Sequence, residues 1–183
     1  MTTAEPNKQQ FPTVDDEARF WSLLEQAWSQ VDDAVNVIRL SMASGPADSD
    51  RAADLAIVDE TTDDFLEALT VLCRGMSSRE LTDLDRVLER KLYDIDRADI
   101  QAVTDGSDDG FLYARGLIIA LGRDYYAAVA ANPRVAILDG EFEAMCYFFA
   151  RLHGDLYGAW PATGSGISRE SCSNPAGWSF TGV

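Results

Sequence analysis

The most pointed chemistry in this sequence lies at Ser107-Asp108-Asp109, a hydroxyl followed by two adjacent carboxylates, directly after the turn dipeptide Asp105-Gly106. Two carboxylates supply the oxygen ligands that Mg²⁺ or Ca²⁺ takes, yet two alone are too few for an all-protein cage. The same three residues suit a helix N-terminus. The Ser hydroxyl accepts from an N–H two or three residues on, and the acids face the positive end of the helix dipole. A third reading has Asp108 or Asp109 capping the helix while pairing with an arginine from another element. The cap is the favoured reading, and neither a metal nor a cofactor is expected.

Arg115 and Arg123 follow on the same predicted helix, separated by about two turns, so they can share a face. Each can lay its stem on an apolar stripe and offer its fork to a carboxylate. An anion site is the functional reading, and an ion pair within the fold is the favoured one in so acidic a chain. His153 is the only histidine, and no Gly-x-Ser-x-Gly or Cys/His signature gives it a nucleophile to serve. His153-Gly154-Asp155 is weak as a metal motif, so a half-buried helical histidine is expected. Cys73, Cys146 and Cys172 form no CxxC, and the first two fall within apolar faces, as buried free thiols do.

Helices must position these groups. Thr13-x-x-Asp16 resembles a capping box, and Phe20, Trp21, Leu24, Ala27, Trp28, Val31, Val35 and Ile38 then recur at helical steps until Ser44-Gly45-Pro46. A weakly periodic stretch spans 47–60. Phe65, Leu66, Leu69, Leu72 and Cys73 give the next face, and Ser77-x-x-Glu80 opens a helix carrying Leu81, Leu84, Val87, Leu88, Leu92 and Ile95. A short turn is expected over 98–103. The pattern then predicts one helix from Ser107 to Asn132-Pro133, with Gly116 and Gly122 inside it, and a last one from about Asp139 to Gly158 with Leu156 on its core face. Phe148 lies off the stripe that holds Phe149, which makes one of the two a candidate for a partner surface. The reading is all-α: a single compact domain over 13–158, of about five to six helices. A loose arm is expected over 1–12. A Gly/Ser-rich tail over 159–183 is expected to be mobile, or docked only through Trp178 and Phe180.

Charge narrows the partners. The 183 residues carry 31 Asp and Glu against 15 Lys and Arg, a net of −16. A nucleic-acid binder needs a basic footprint, so none is expected here. No apolar run approaches the length that spans a bilayer, and the polar N-terminus has no basic region of a leader, so no membrane is expected and the location predicted is cytoplasmic. The first 67 residues hold 15 acidic and 4 basic side chains. The segment from Asp32-Asp33 through Asp48, Asp50, Asp54, Asp59, Glu60, Asp63 and Asp64 is a solvated face, or a field that steers a basic partner. Arginine far outnumbers lysine (only Lys8 and Lys91) beside abundant Ala, Asp and Gly, a composition that suggests a GC-rich bacterial genome.

One stretch carries a family resemblance. Ser107-Asp108-Asp109-Gly110-Phe111, Tyr113-Ala114-Arg115, Leu117-Ile118, Gly122-Arg123 and Asn132-Pro133 resemble the bacterial family called domain of unknown function 4240 (DUF4240). Phe20-Trp21 and Met76-Ser77-Ser78-Arg79-Glu80-Leu81 are also similar to it, so that the likeness covers about residues 20–158. The chain departs from it at Gly106, where members commonly place a Cys, and at Asp96-Arg97-Ala98-Asp99-Ile100, where a Leu-Trp-containing segment often stands. The resemblance implies a fold and no activity. Two functions compete. The leading one is a non-enzymatic acidic protein-interaction or regulatory module, of immunity or antitoxin type by analogy, with an unknown protein partner for which a basic protein is the candidate. The alternative is an enzyme or small-ligand-binding domain with a polar site at Ser107, Asp108, Asp109, Arg115 and Arg123. Nucleic-acid mimicry by spaced carboxylates is a third, weaker reading.

Overall fold

A computed structural model describes residues 9–44, 51–104 and 107–178. The expectations for Gly45-Pro46, Asp48, Asp50, Asp105-Gly106 and Phe180 lie outside them. Among the described residues every regular element is helical: α1 (Val14–Trp28), α2 (Asp33–Met42), α3 (Ala52–Asp59), α4 (Thr62–Cys73), α5 (Ser78–Asp94), α6 (Ala98–Gln101), α7 (Asp108–Ala120), α8 (Arg123–Ala131), α9 (Glu143–Cys146) and α10 (Phe148–Tyr157), with a 3-10 turn at Pro133–Val135.

Ten helices stand among the described residues where about five to six were expected, because three long periodic stretches are broken and the weak stretches at 47–60 and 98–103 each form a helix, α3 and α6. The first breaks at Ser29–Asp32, where the Asp32 carboxylate caps a new helix by accepting from the Ala34 N–H at 2.8 Å. The helix expected from Ser107 to Asn132 breaks at Gly122, whose φ of 100° and ψ of 174° is a conformation reserved for glycine. The last breaks at Tyr147, between α9 and α10. Hydrophobic spacing survives a change of helix direction, so periodicity alone reads through such corners. Start and stop signals fare better. Thr13/Asp16 and Ser77/Glu80 both form reciprocal capping boxes, and Gly158 ends α10 with φ 75°.

Helix α7 is buried on nearly every side, from Gly110 through Leu121, and α5, α8 and α9 pack around it. A helix apolar all round belongs in the middle of a bundle. Gly116 allows α9 to approach: a Cβ there would lie 2.6 Å from both the Cys146 sulfur and the Phe142 carbonyl. Helix α1 lies between α4 and α5, and the Trp28 ring stacks on Phe65 at 4.4 Å while its N–H donates to the Ala120 carbonyl at 2.7 Å. Phe148 and Phe149 are both buried, so neither supplies the exposed aromatic surface expected of one of them. Leu156, expected in the core, is 43% exposed.

The segment after α10 has no regular structure through residue 169, yet it is not held by Trp178 alone. Thr163, Ser165, Arg169 and Asn174 are all buried. Their contacts are polar, which is why apolar pattern gave no sign of them.

Candidate functional site

Helix α7 starts as a capped helix. Ser107 is in extended conformation and its Oγ accepts from the Gly110 N–H at 3.1 Å. Asp108 and Asp109 fill the first turn with exposed side chains. Arg115 lies two turns in and is fully buried. It donates to the carbonyls of Leu92 (2.9 Å) and Arg169 (3.0 Å) and to Ser171 Oγ (3.1 Å), above the Phe111 ring. Burial pulls its pKa below the ordinary arginine value, and the nearby Asp96 charge works against that. Arg123 is on α8, beyond the Gly122 corner, and exposed. The five residues therefore do not share one helix face. The link between the cap and Arg115 is Ser171, whose hydroxyl meets Arg115 and donates to the Asp108 carbonyl at 2.6 Å.

Buried charge gathers elsewhere. Asp85 on α5 and Arg169 on the C-terminal segment pair with both side chains almost fully buried, and Glu89 joins them 3.2 Å from the same nitrogen. Burial opposes the charge on Arg169, but the Asp85 and Glu89 carboxylates win and hold its pKa above the ordinary value. Burial pushes the Asp85 carboxyl up, and its Oδ1 has no hydrogen-bond partner among the described residues. Asp96, fully buried, accepts from the backbone N–H groups of Cys172, Ser173 and Asn174 at 3.1, 2.7 and 2.9 Å and from the Trp178 indole at 2.8 Å. Buried Arg39 pairs with Glu25 at 2.6 Å and donates to the Leu121 carbonyl at 2.8 Å, next to Gly122. None of these residues forms a motif. What the sequence does offer is a charge inside an apolar arc: Asp85 among Leu81, Leu84 and Leu88, Arg39 between Val35 and Met42, and Asp96 after Ile95.

His153 is buried and doubly bonded. Its Nδ1 lies 2.6 Å from the Ala159 carbonyl and so donates, which leaves Nε2 to accept from Ser78 Oγ at 2.7 Å. It thus ties the start of α5 to the end of α10. Among the described residues no three His, Cys, Asp or Glu side chains converge as a metal site.

A second region stands out by charge. No lysine or arginine occurs from 52 to 73, while Asp59, Glu60, Asp63, Asp64 and Glu67 project from α3 and α4 into solvent. Among the described residues these five carboxylates have no ion pair. The charges of α5 are, by contrast, matched: Arg86 to Asp83, Arg90 to Asp94 and Lys91 to Glu17. Val37 on α2, Ile57 on α3 and Val71 on α4 are exposed apolar side chains, and Val71 lies beside Asp64 and Glu67. A groove of about 360 Å³ between the α1–α2 corner and α4 is lined by Val31, Asp32, Asp64, Glu67 and Val71. Another of about 440 Å³ separates Leu55 and Asp59 on α3 from Leu138 and Asp139.

No helix of the described residues is long and apolar enough to cross a membrane. A family model matches residues 47–150, more than half of the chain, and its description is protein of unknown function (DUF4240). Neither the curated proteins nor the solved structures contain a match to the chain. The matched span includes the Ser107-to-Pro133 pattern and leaves out Phe20-Trp21 and everything after residue 150. The chain belongs to the DUF4240 family.

Proposed function

We propose that this protein is a non-enzymatic interaction module, regulatory or immunity-like, that binds a basic protein partner through the face formed by α2, α3 and α4. The observation that carries this reading is the acid of α3 and α4 that has no ion pair among the described residues, with Val37, Ile57 and Val71 exposed on α2, α3 and α4, against the paired charges of α5. Like charges left together cost folding stability through self-repulsion, and a field of one sign steers an oppositely charged partner to its docking face. Apolar side chains within the field supply the area that a charged patch alone lacks. An enzyme or small-ligand site at Asp108, Asp109, Arg115 and Arg123 is the weaker reading, since Arg115 is spent on carbonyls inside the fold and Arg123 faces solvent on another helix.

The test is affinity capture from the native host with the full chain as bait, beside a variant carrying Asp59→Asn, Asp63→Asn, Asp64→Asn and Glu67→Gln. The reading expects a basic protein that binds the wild type, weakens with salt and is lost with the variant. Capture of the same protein by both baits would remove the acidic face from the account.

A further inference from the structure

The groups that hold residues 163–174 are laid out like a peptide-recognition groove. Arg86 Nε donates to the Thr163 carbonyl at 2.6 Å, and Arg115 Nη2 to the Arg169 carbonyl at 3.0 Å. Asp96 takes three successive N–H groups, those of Cys172, Ser173 and Asn174. These contacts address the main chain, so they do not depend on the sequence bound. Side chains of the segment add to them: Ser165 donates to Glu89 at 2.7 Å, Ser171 to the Asp108 carbonyl at 2.6 Å and Asn174 to the Tyr93 carbonyl at 3.0 Å. One pocket takes a charged side chain. The Arg169 guanidinium meets Asp85 Oδ2 at 2.5 Å, Glu89 Oε1 at 3.2 Å and the Cys146 carbonyl at 2.7 Å, over the Tyr147 ring at 5.7 Å. Two carboxylates, a carbonyl and an aromatic face suit a planar guanidinium and not a compact ammonium.

One further observation points to a ligand beyond the chain's own arginine. Arg169 satisfies one oxygen of Asp85 and leaves the other, Oδ1, buried without a partner among the described residues. An arginine entering fork-on would bond both oxygens. A buried ion pair with an orphan acceptor is a poor device for stability alone.

We propose that Asp85, Glu89, Tyr147, Arg115 and Asp96 form a binding groove for an extended, arginine-bearing segment of a partner protein, filled in this state by residues 163–174 of the same chain. The groove is separate from the α2–α4 face and stands on different observations, so either proposal can fail alone. Binding in trans requires the internal segment to leave, and the tethered segment competes at a high effective concentration.

The probe is a labelled synthetic peptide of residues 163–174, with Ser at the Cys172 position to prevent oxidation. The full-length Arg169→Ala variant should bind it about ten-fold or more tighter than the wild type does, because its own segment competes less well. A peptide with lysine in place of the arginine should bind about ten-fold more weakly. Adding Asp85→Asn to the variant should abolish binding, while the four-site neutralisation of α3 and α4 should leave it unchanged. If Arg169→Ala does not fold, the wild type decides: saturating peptide should speed hydrogen exchange at Cys172, Ser173 and Asn174. Binding indifferent to the arginine, binding lost with the α3–α4 variant, no binding to a folded Arg169→Ala, or unchanged exchange in the wild type would each overturn the proposal.

Discussion

Gly122→Ala separates two readings of the same residue by the sign of its effect. If Gly122 sat inside a continuous helix, as periodicity predicts, alanine would stabilise the protein by about 1 kcal/mol. The structure places it at the corner between α7 and α8 with φ 100° and ψ 174°, where forcing a side chain costs about 1–3 kcal/mol. The added Cβ would also lie 2.5 Å from Glu25 Oε1 and 2.6 Å from Arg39 Nη1. Arg39 is buried, and its pair with Glu25 must shift to make room. Glu25 is partly exposed and can move, so only part of the cost of breaking a buried pair applies. Together these terms give a loss of about 2–5 kcal/mol. For a chain of this length that lowers the melting temperature by about 5–15 °C. Calorimetry of wild type and variant at neutral pH reads the shift directly. A melting temperature unchanged or raised would refute the corner and restore the single helix.

Asp96→Ala should cost about 2–4 kcal/mol, since several buried donors lose their acceptor, and calorimetry together with faster exchange at Ser173 and Asn174 would show it. Thiol labelling of the native protein at pH 8 should modify Cys172, which is exposed, and spare Cys73 and Cys146, whose burial pushes both pKa values up to about 12. Two or three thiols reacting at the rate of the first would contradict this packing. Glu80 accepts from the Ser77 N–H, from Arg19 and from the Ser77 hydroxyl, which hold its carboxyl at about 2 instead of 4.5. Its contribution to stability is therefore complete above about pH 4.5 and is lost as pH falls toward 2, a slope that Glu80→Gln should remove from the acid-melting profile.

What the sequence disclosed was set by how local each cause is. The two capping boxes and the glycine stop at Gly158 act over three or four residues, and each formed as read. Helical class was legible for the same reason, since periodicity is a local record of burial. Helix number was not, because the corners at Asp32, Gly122 and Tyr147 keep the apolar spacing in step. Ser107 could be read as a cap, and Arg115 as an arginine with a buried stem. That Arg115 would turn to the carbonyls of Leu92 and Arg169 could not be read, because those partners are far apart in sequence. Docking of residues 163–174 was hidden for a related reason. It rests on Asp85, Glu89, Asp96 and Arg115, and apolar patterning is blind to a segment held by hydrogen bonds and the ion pairs of a single arginine.

Docking of a basic protein on the acidic α2–α4 face, as proposed, should be visible in hydrogen exchange of the full chain with and without the captured basic protein at saturation. Added protection is expected at residues 52–71 and around Val37, fading as salt is raised, with the backbone of α10 unaffected. Protection confined to other helices, or protection at 52–71 that persists unchanged in the variant lacking the Asp59, Asp63, Asp64 and Glu67 charges, would contradict it.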